Sequence, residues 1–150
     1  MADAALDLAG ELNTLLEAER AGARVGAALV KEAEGRGASW EDLAKVVHDD
    51  EVHWARALFE ALHALGAEPS DKVGDFYERA MAIDGFEARL AFVNRGQGWV
   101  ARKLREILPG VTDPALHATL QDMLDRHVVN IDAANAALAA AGFETRPRPS

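Results

Sequence analysis

Apolar residues recur at three- and four-residue spacing along four stretches of the chain, and each stretch keeps a single apolar stripe. The first stripe runs Leu8, Leu12, Leu15, Glu19, Gly22, Gly26, Leu29, Ala33. The second runs Trp40, Leu43, Val47, Asp50, Trp54, Ala57, Ala61. The third is Ile83, Phe86, Leu90, Val93, Gln97, Val100, Leu104, Ile107, and the fourth Leu116, Leu120, Leu124, His127, Ile131, Ala134, Leu138. This is the period of an amphipathic helix, whereas a half-buried strand would alternate at every second residue. Thirty-one alanines against 11 valines and 3 isoleucines favour helix as well.

Glycine and proline cut the pattern into segments. The breaks fall at Gly35-Arg-Gly-Ala-Ser39, at Gly66-Ala-Glu-Pro-Ser-Asp71, at Asp84-Gly85 and at Pro109-Gly-Val-Thr-Asp-Pro114. Ser39 is a candidate N-cap with Asp42 in the capping-box position, and Asp113 is another, followed by Pro114 at the first helical position. The predicted elements are long helices over 6–34, 40–65, 84–108 and 114–141, with a short one over 72–82. Short loops join the first two and the last two, making each pair antiparallel neighbours. The predicted fold is all-α, a four-helix bundle with a long connection and a short extra helix between its second and third long helices. That connection suits a ferritin-type crossover, with a simple up-and-down bundle as the alternative. One domain over 1–142 and a disordered tail over 143–150 complete the expected layout.

Each apolar stripe is interrupted by a polar residue near its middle. In a bundle of similar-length antiparallel helices the four midpoints meet at one level, so Glu19, Asp50, Gln97 and His127 are predicted to face one another in the core. Unpaired burial of such groups costs several kcal/mol, so they must share protons, hydrogen bonds or a metal ion. Glu51 lies at the stripe's edge and replaces Asp50 if the helix turns slightly. His53 follows Asp50 by three residues on the adjoining helical position. Gly22 and Gly26 in the first helix suggest that something packs closely on that face. His48, His63 and His117 fall off the stripes and are expected in solvent, and Trp40, Trp54 and Trp99 are expected in core or subunit packing.

Composition narrows the function. No cysteine is present, which excludes disulfides, thiolate metal sites and a thiol nucleophile. A net charge of −9 lacks the basic field that nucleic acids or anionic membranes require. No stretch approaches the ~20 apolar residues of a membrane span, and the acidic start, Met1-Ala-Asp-Ala-Ala-Leu-Asp7, does not read as a signal peptide. A cytoplasmic protein is expected. No phosphate loop, nucleophile elbow or Ser/His/Asp arrangement is visible.

Four stretches carry a family resemblance: Leu15-Leu-Glu-Ala-Glu-Arg-Ala-Gly22, Asp50-Glu51, Ala67-Glu-Pro-Ser70 and Asn94-Arg-Gly-Gln-Gly-Trp-Val-Ala-Arg-Lys-Leu104. Through them the chain resembles the ferritin-like superfamily, and within it a bacterial family of small ferritin-like domains with no assigned reaction. The likeness spans most of 8–141 and implies a four-helix bundle with a left-handed crossover. Di-iron members of the superfamily use a Glu from each of two helices and Glu-x-x-His from each of the other two. Glu19 matches the first glutamate, and Asp50-x-x-His53 matches a motif only with a shortened carboxylate. Gln97 stands where a glutamate belongs, and Leu124 precedes His127 by three. Too few carboxylates remain to neutralise two irons, so a di-iron oxidase is disfavoured.

Two functional readings follow. In one, Glu19, Asp50 and His127 hold a single divalent ion (Fe, Mn or Zn), with Glu51 and His53 as additional candidates and Gln97 orienting a ligand. Any reaction would then be metal-dependent oxidation–reduction on a substrate the sequence does not name. In the other, the chain is a non-catalytic association domain with a closed polar network and no metal. A homodimer, packed through small residues such as Ala133, Ala137 and Ala141, is a candidate assembly for it.

Overall fold

A computed structural model describes residues 6–143, and its regular elements are all helical. They are α1 (Leu8–Ala33), α2 (Ala38–Ala64), α3 (Phe76–Met81), α4 (Phe86–Ile107) and α5 (Pro114–Ala140), with a 3-10 turn at Leu108–Gly110. Among the described residues there is no strand, and no helix is long and apolar enough to cross a membrane. The tail expected over 143–150 lies, apart from Phe143, outside the described residues.

Side-chain caps set the starts of α1 and α5. The Asp7 carboxylate accepts from the Gly10 amide at 3.0 Å, and Asp113 accepts from the Leu116 amide at 2.8 Å with Pro114 opening α5. The start of α2 departs from expectation. Its N-cap is Gly37, at φ +118°, and no side chain caps it, so the Ser39–Asp42 box does not form. The short helix is also shorter than the predicted 72–82, because Gly74 at φ +60° breaks the backbone just before Asp75.

Each long helix packs against two others: α1 against α2 and α4, and α5 against the same two. The buried side chains fall into two apolar clusters. One gathers Leu12 and Leu16 with Leu58, Leu62, Leu104 and Leu120. The other gathers Val25 and Leu29 with Val47, Leu90 and Leu138. The first halves of α1 and α5 therefore share an end with the second halves of α2 and α4. Every neighbouring pair is antiparallel, while α2 and α4 sit on the diagonal and run the same way. The chain from 65 to 85 must return along the whole bundle, so the connection is a crossover.

One face of α1 guides that return. Asn13 donates to the Glu68 carbonyl at 3.1 Å and accepts from the Ser70 amide at 2.7 Å. Arg20 donates to the Ser70 carbonyl, and the Arg24 guanidinium lies 4.2 Å from the Tyr77 ring centre. Asn13, Arg20 and Arg24 recur at helical spacing, so one stripe straps the crossover down. At the far end Arg89 of α4 donates from Nε to the Ala80 carbonyl at 3.0 Å and from its other nitrogens to Ile83 and Glu32. Phe76 of α3 sits over Gly96, where an added Cβ would meet its ring at 3.1 Å.

Candidate metal centre

Between the two apolar clusters lies a polar layer. Glu19 of α1, Glu51 of α2 and His127 of α5 are 0%, 5% and 2% exposed. Each helix is anchored by core residues on both sides of its polar position, so these side chains cannot swing out to water. One donor atom from each lies within 4.8 Å of the other two.

The hydrogen bonding fixes the chemistry of the histidine. His127 Nδ1 is 2.8 Å from the Met123 carbonyl oxygen, which only accepts, so Nδ1 carries the proton. Nε2 faces Glu19 Oε1 at 2.8 Å, and in the neutral ring it is the lone-pair nitrogen. Neither atom has a fixed donor beside it, and the Glu19 carboxyl shares a proton-dependent hydrogen bond with the Glu51 carboxyl. Two acceptors at this distance require a proton or a cation between them. Burial pushes the Glu19 carboxyl up to about 7, and burial together with the neighbouring Glu19 charge pushes Glu51 well above the usual carboxylate range.

Glycine makes room for the layer. A Cβ on Gly22 would stand 2.6 Å from Glu51 Oε2, so any side chain there would displace that carboxylate. Four residues on, a Cβ on Gly26 would stand 3.0 Å from the His48 Cα, which shows how closely α1 and α2 approach. The close packing expected of these two glycines is with α2 and with the carboxylate it delivers.

The sequence-predicted residues divide. Glu19 and His127 meet as expected, and Gln97 is buried on α4, lining one cavity with Glu51. Asp50 does not join the group. It faces α5 at the bundle's edge, where Oδ2 accepts from Arg126 Nη2 at 2.9 Å and from Asn130 Nδ2 at 2.7 Å. His53 is exposed, its ring edge-on to Trp54 at 4.5 Å. The cause is the rotation of α2, which buries Ala44, Val47, Glu51, Trp54, Leu58 and Leu62. Glu51 therefore takes the inward place assigned to Asp50. Trp99, expected in packing, is 41% exposed at the mouth of that cavity. The Met123 carbonyl, which orients His127, has no side-chain signature and was not legible in the sequence.

The residues fit a divalent ion. Two carboxylates balance its charge, the histidine offers a neutral lone pair, and the three oxygen and nitrogen atoms left without partners are ligand atoms by type. No curated protein and no solved structure matches the chain. A family does match, over residues 7–137: the chain belongs to the family described as Domain of unknown function (DUF6306).

Proposed function

We propose that this protein is a ferritin-like bundle that holds one divalent transition-metal ion through Glu19, Glu51 and His127. The diagonal crossover and the antiparallel neighbours support the ferritin-like reading. The single observation that carries the metal reading is the unpartnered contact of His127 Nε2 with Glu19 Oε1 at 2.8 Å in a fully buried layer. Fe(II), Mn(II) and Zn(II) all suit a mixed carboxylate and imidazole set. A bound ion supplies Lewis acidity and, for iron or manganese, a redox couple. The chain's own part is to fix the imidazole through Met123, keep water from the apolar clusters out, and hold Glu51 in the space Gly22 leaves.

Elemental analysis of untagged protein after reloading tests this reading. About one equivalent of metal per chain supports it, and less than about a tenth of an equivalent overturns it. The second reading, a non-catalytic helical domain, is favoured by the same 2.8 Å contact if a proton bridges it. It predicts no change in melting temperature when divalent metal is added.

A further inference from the structure

A cavity of about 480 Å³ lies between α1 and α4 beneath the crossover, within the size range of small-molecule sites. Small residues keep it open on the α1 side, where Ala18, Ala21 and Gly22 line it. Phe76 and Phe92, stacked with ring centres 4.9 Å apart, form part of the opposite wall, and Trp99 stands at the mouth. Glu51 and Gln97 close the inner end, and at 5% and 3% exposed they offer an occupant almost no surface. What enters therefore meets small side chains and aromatic rings.

The usable charge is at the rim. Glu17 on α1 and Arg95 on α4 line the cavity from its two neighbouring helices. Among the described residues neither belongs to an ion pair, with the other or with any third group. The Arg95 guanidinium lies against the aromatic wall, 5.7 Å from the Phe92 ring centre. Arg79, a second cation at the rim, is 4.0 Å from Asp75. The opening thus presents an unpaired carboxylate and an unpaired guanidinium that do not reach each other, above an apolar interior. A ligand of one charge would attract one of them and repel the other, and a neutral ligand would use neither. A zwitterion on an apolar body complements both charges and the interior together.

We infer that this cavity binds an α-amino acid with an aromatic side chain. Its carboxylate pairs with Arg95, its ammonium with Glu17, and its ring lies among Ala18, Phe76 and Trp99. The inference goes beyond the metal reading and does not rest on it, since the residues that hold the amino acid lie outside the ligand set.

L-Phenylalanine, 3-phenylpropionate, which lacks the ammonium, and 2-phenylethylamine, which lacks the carboxylate, are the probes. They are titrated into nitrogen-15-labelled protein while the Trp99 indole signal is followed by NMR. Phenylalanine is expected to saturate and to bind about fivefold more tightly than either analogue, as one partly exposed ion pair allows. Arg95→Gln should weaken phenylalanine and phenylpropionate about fivefold and spare the amine. Glu17→Gln should weaken phenylalanine and phenylethylamine to the same degree and spare the acid. Glutamine is a good helix former, so both variants should keep the wild-type fold, which circular dichroism checks. Ala18→Leu, which fills the cavity from α1, should weaken all three probes at least tenfold. No saturable shift, or equal affinity for the three probes, overturns the inference. Sensitivity to only one of the two charge variants also overturns it, since the site would then take a simple acid or a simple amine. Charge selectivity that survives Ala18→Leu in a folded protein puts the ligand outside the cavity and overturns it as well.

Discussion

Two groups of charged side chains are buried in this bundle, and they are satisfied to very different degrees. Arg89, near the start of α4, is 7% exposed, and its guanidinium donates to two carbonyls and to Glu32. The central layer is buried just as deeply, yet both oxygens of Glu19 and Nε2 of His127 go unpartnered. The Arg89 cluster closes on itself because its task is to pin the crossover to α1. The central layer instead sets Glu19 Oε1 against His127 Nε2 at 2.8 Å, an arrangement that a shared proton or a cation completes. Asp50 supports the contrast from the next residue along, since its carboxylate is closed off by Arg126 and Asn130.

The largest expected effect lies at the closed site. Arg89→Met leaves two carbonyls and Glu32 without their donor, and unfolding in urea should show a loss of about 3 kcal/mol. Zinc affinity should stay within about twofold. A fall in affinity as large as the fall in stability would erase the distinction between the two sites.

A comparable effect is expected at the open site, but it depends on pH. The Glu19 carboxyl keeps its proton to about pH 7 in the folded chain, against 4.5 ordinarily. The folded state therefore binds more protons than the unfolded state across that window. The Glu19 contribution is fully present below pH 4.5 and is lost as the pH rises through about 7. A difference of this size corresponds to about 3 kcal/mol. Metal-free protein should thus lose stability between these limits, and Glu19→Gln should make the profile shallower, with Glu51 supplying the slope that remains. Added zinc should act in the opposite direction, stabilising more as pH rises, because metal competes with protons for the same carboxyls. A wild-type profile as flat as that of Glu19→Gln would mean the layer is not strained.

Gly22→Ala gives a smaller and more selective effect. The new methyl meets Glu51 rather than the core, so zinc affinity should fall about tenfold, as when other supports of a ligand are disturbed. Stability should move by less than about 1 kcal/mol, because alanine favours the helix. The smallest effect belongs to Asp50→Asn. Its ion pair with Arg126 is partly exposed and worth under about 1 kcal/mol, and calorimetry should find zinc affinity unchanged. If Asp50→Asn weakened zinc as strongly as Glu51→Gln, the assignment of α2's inward face would be reversed.

The helices and three of the four apolar stripes were readable from spacing alone. Leu12, Leu15, Glu19 and Leu29 of α1, Phe86 to Ile107 of α4, and Leu120, His127 and Leu138 of α5 are buried as their pattern predicts. The α2 stripe was misphased because alanine is a weak marker of burial. Ala57 and Ala61 fit a helical period as well as Leu58 and Leu62 do, but the larger leucines go inside, and they carry Glu51 with them. Weighting the stripe by side-chain size would have chosen Glu51 over Asp50. The opening of the cavity beneath α3 depends on the crossover's path. That path is set by Asn13, Arg20 and Arg89 reaching across 50 or more residues to Glu68, Ser70 and Glu32, and by Arg24 stacking on Tyr77. Contacts of that range leave no periodic trace.

The most direct measurement is anomalous diffraction at the zinc edge from crystals of zinc-loaded protein. One strong peak is expected per chain, at about 2.0–2.2 Å from a carboxylate oxygen of Glu19, one of Glu51 and Nε2 of His127. A peak beside Asp50 or His53, or none above noise in a protein that binds no zinc in solution, would contradict it.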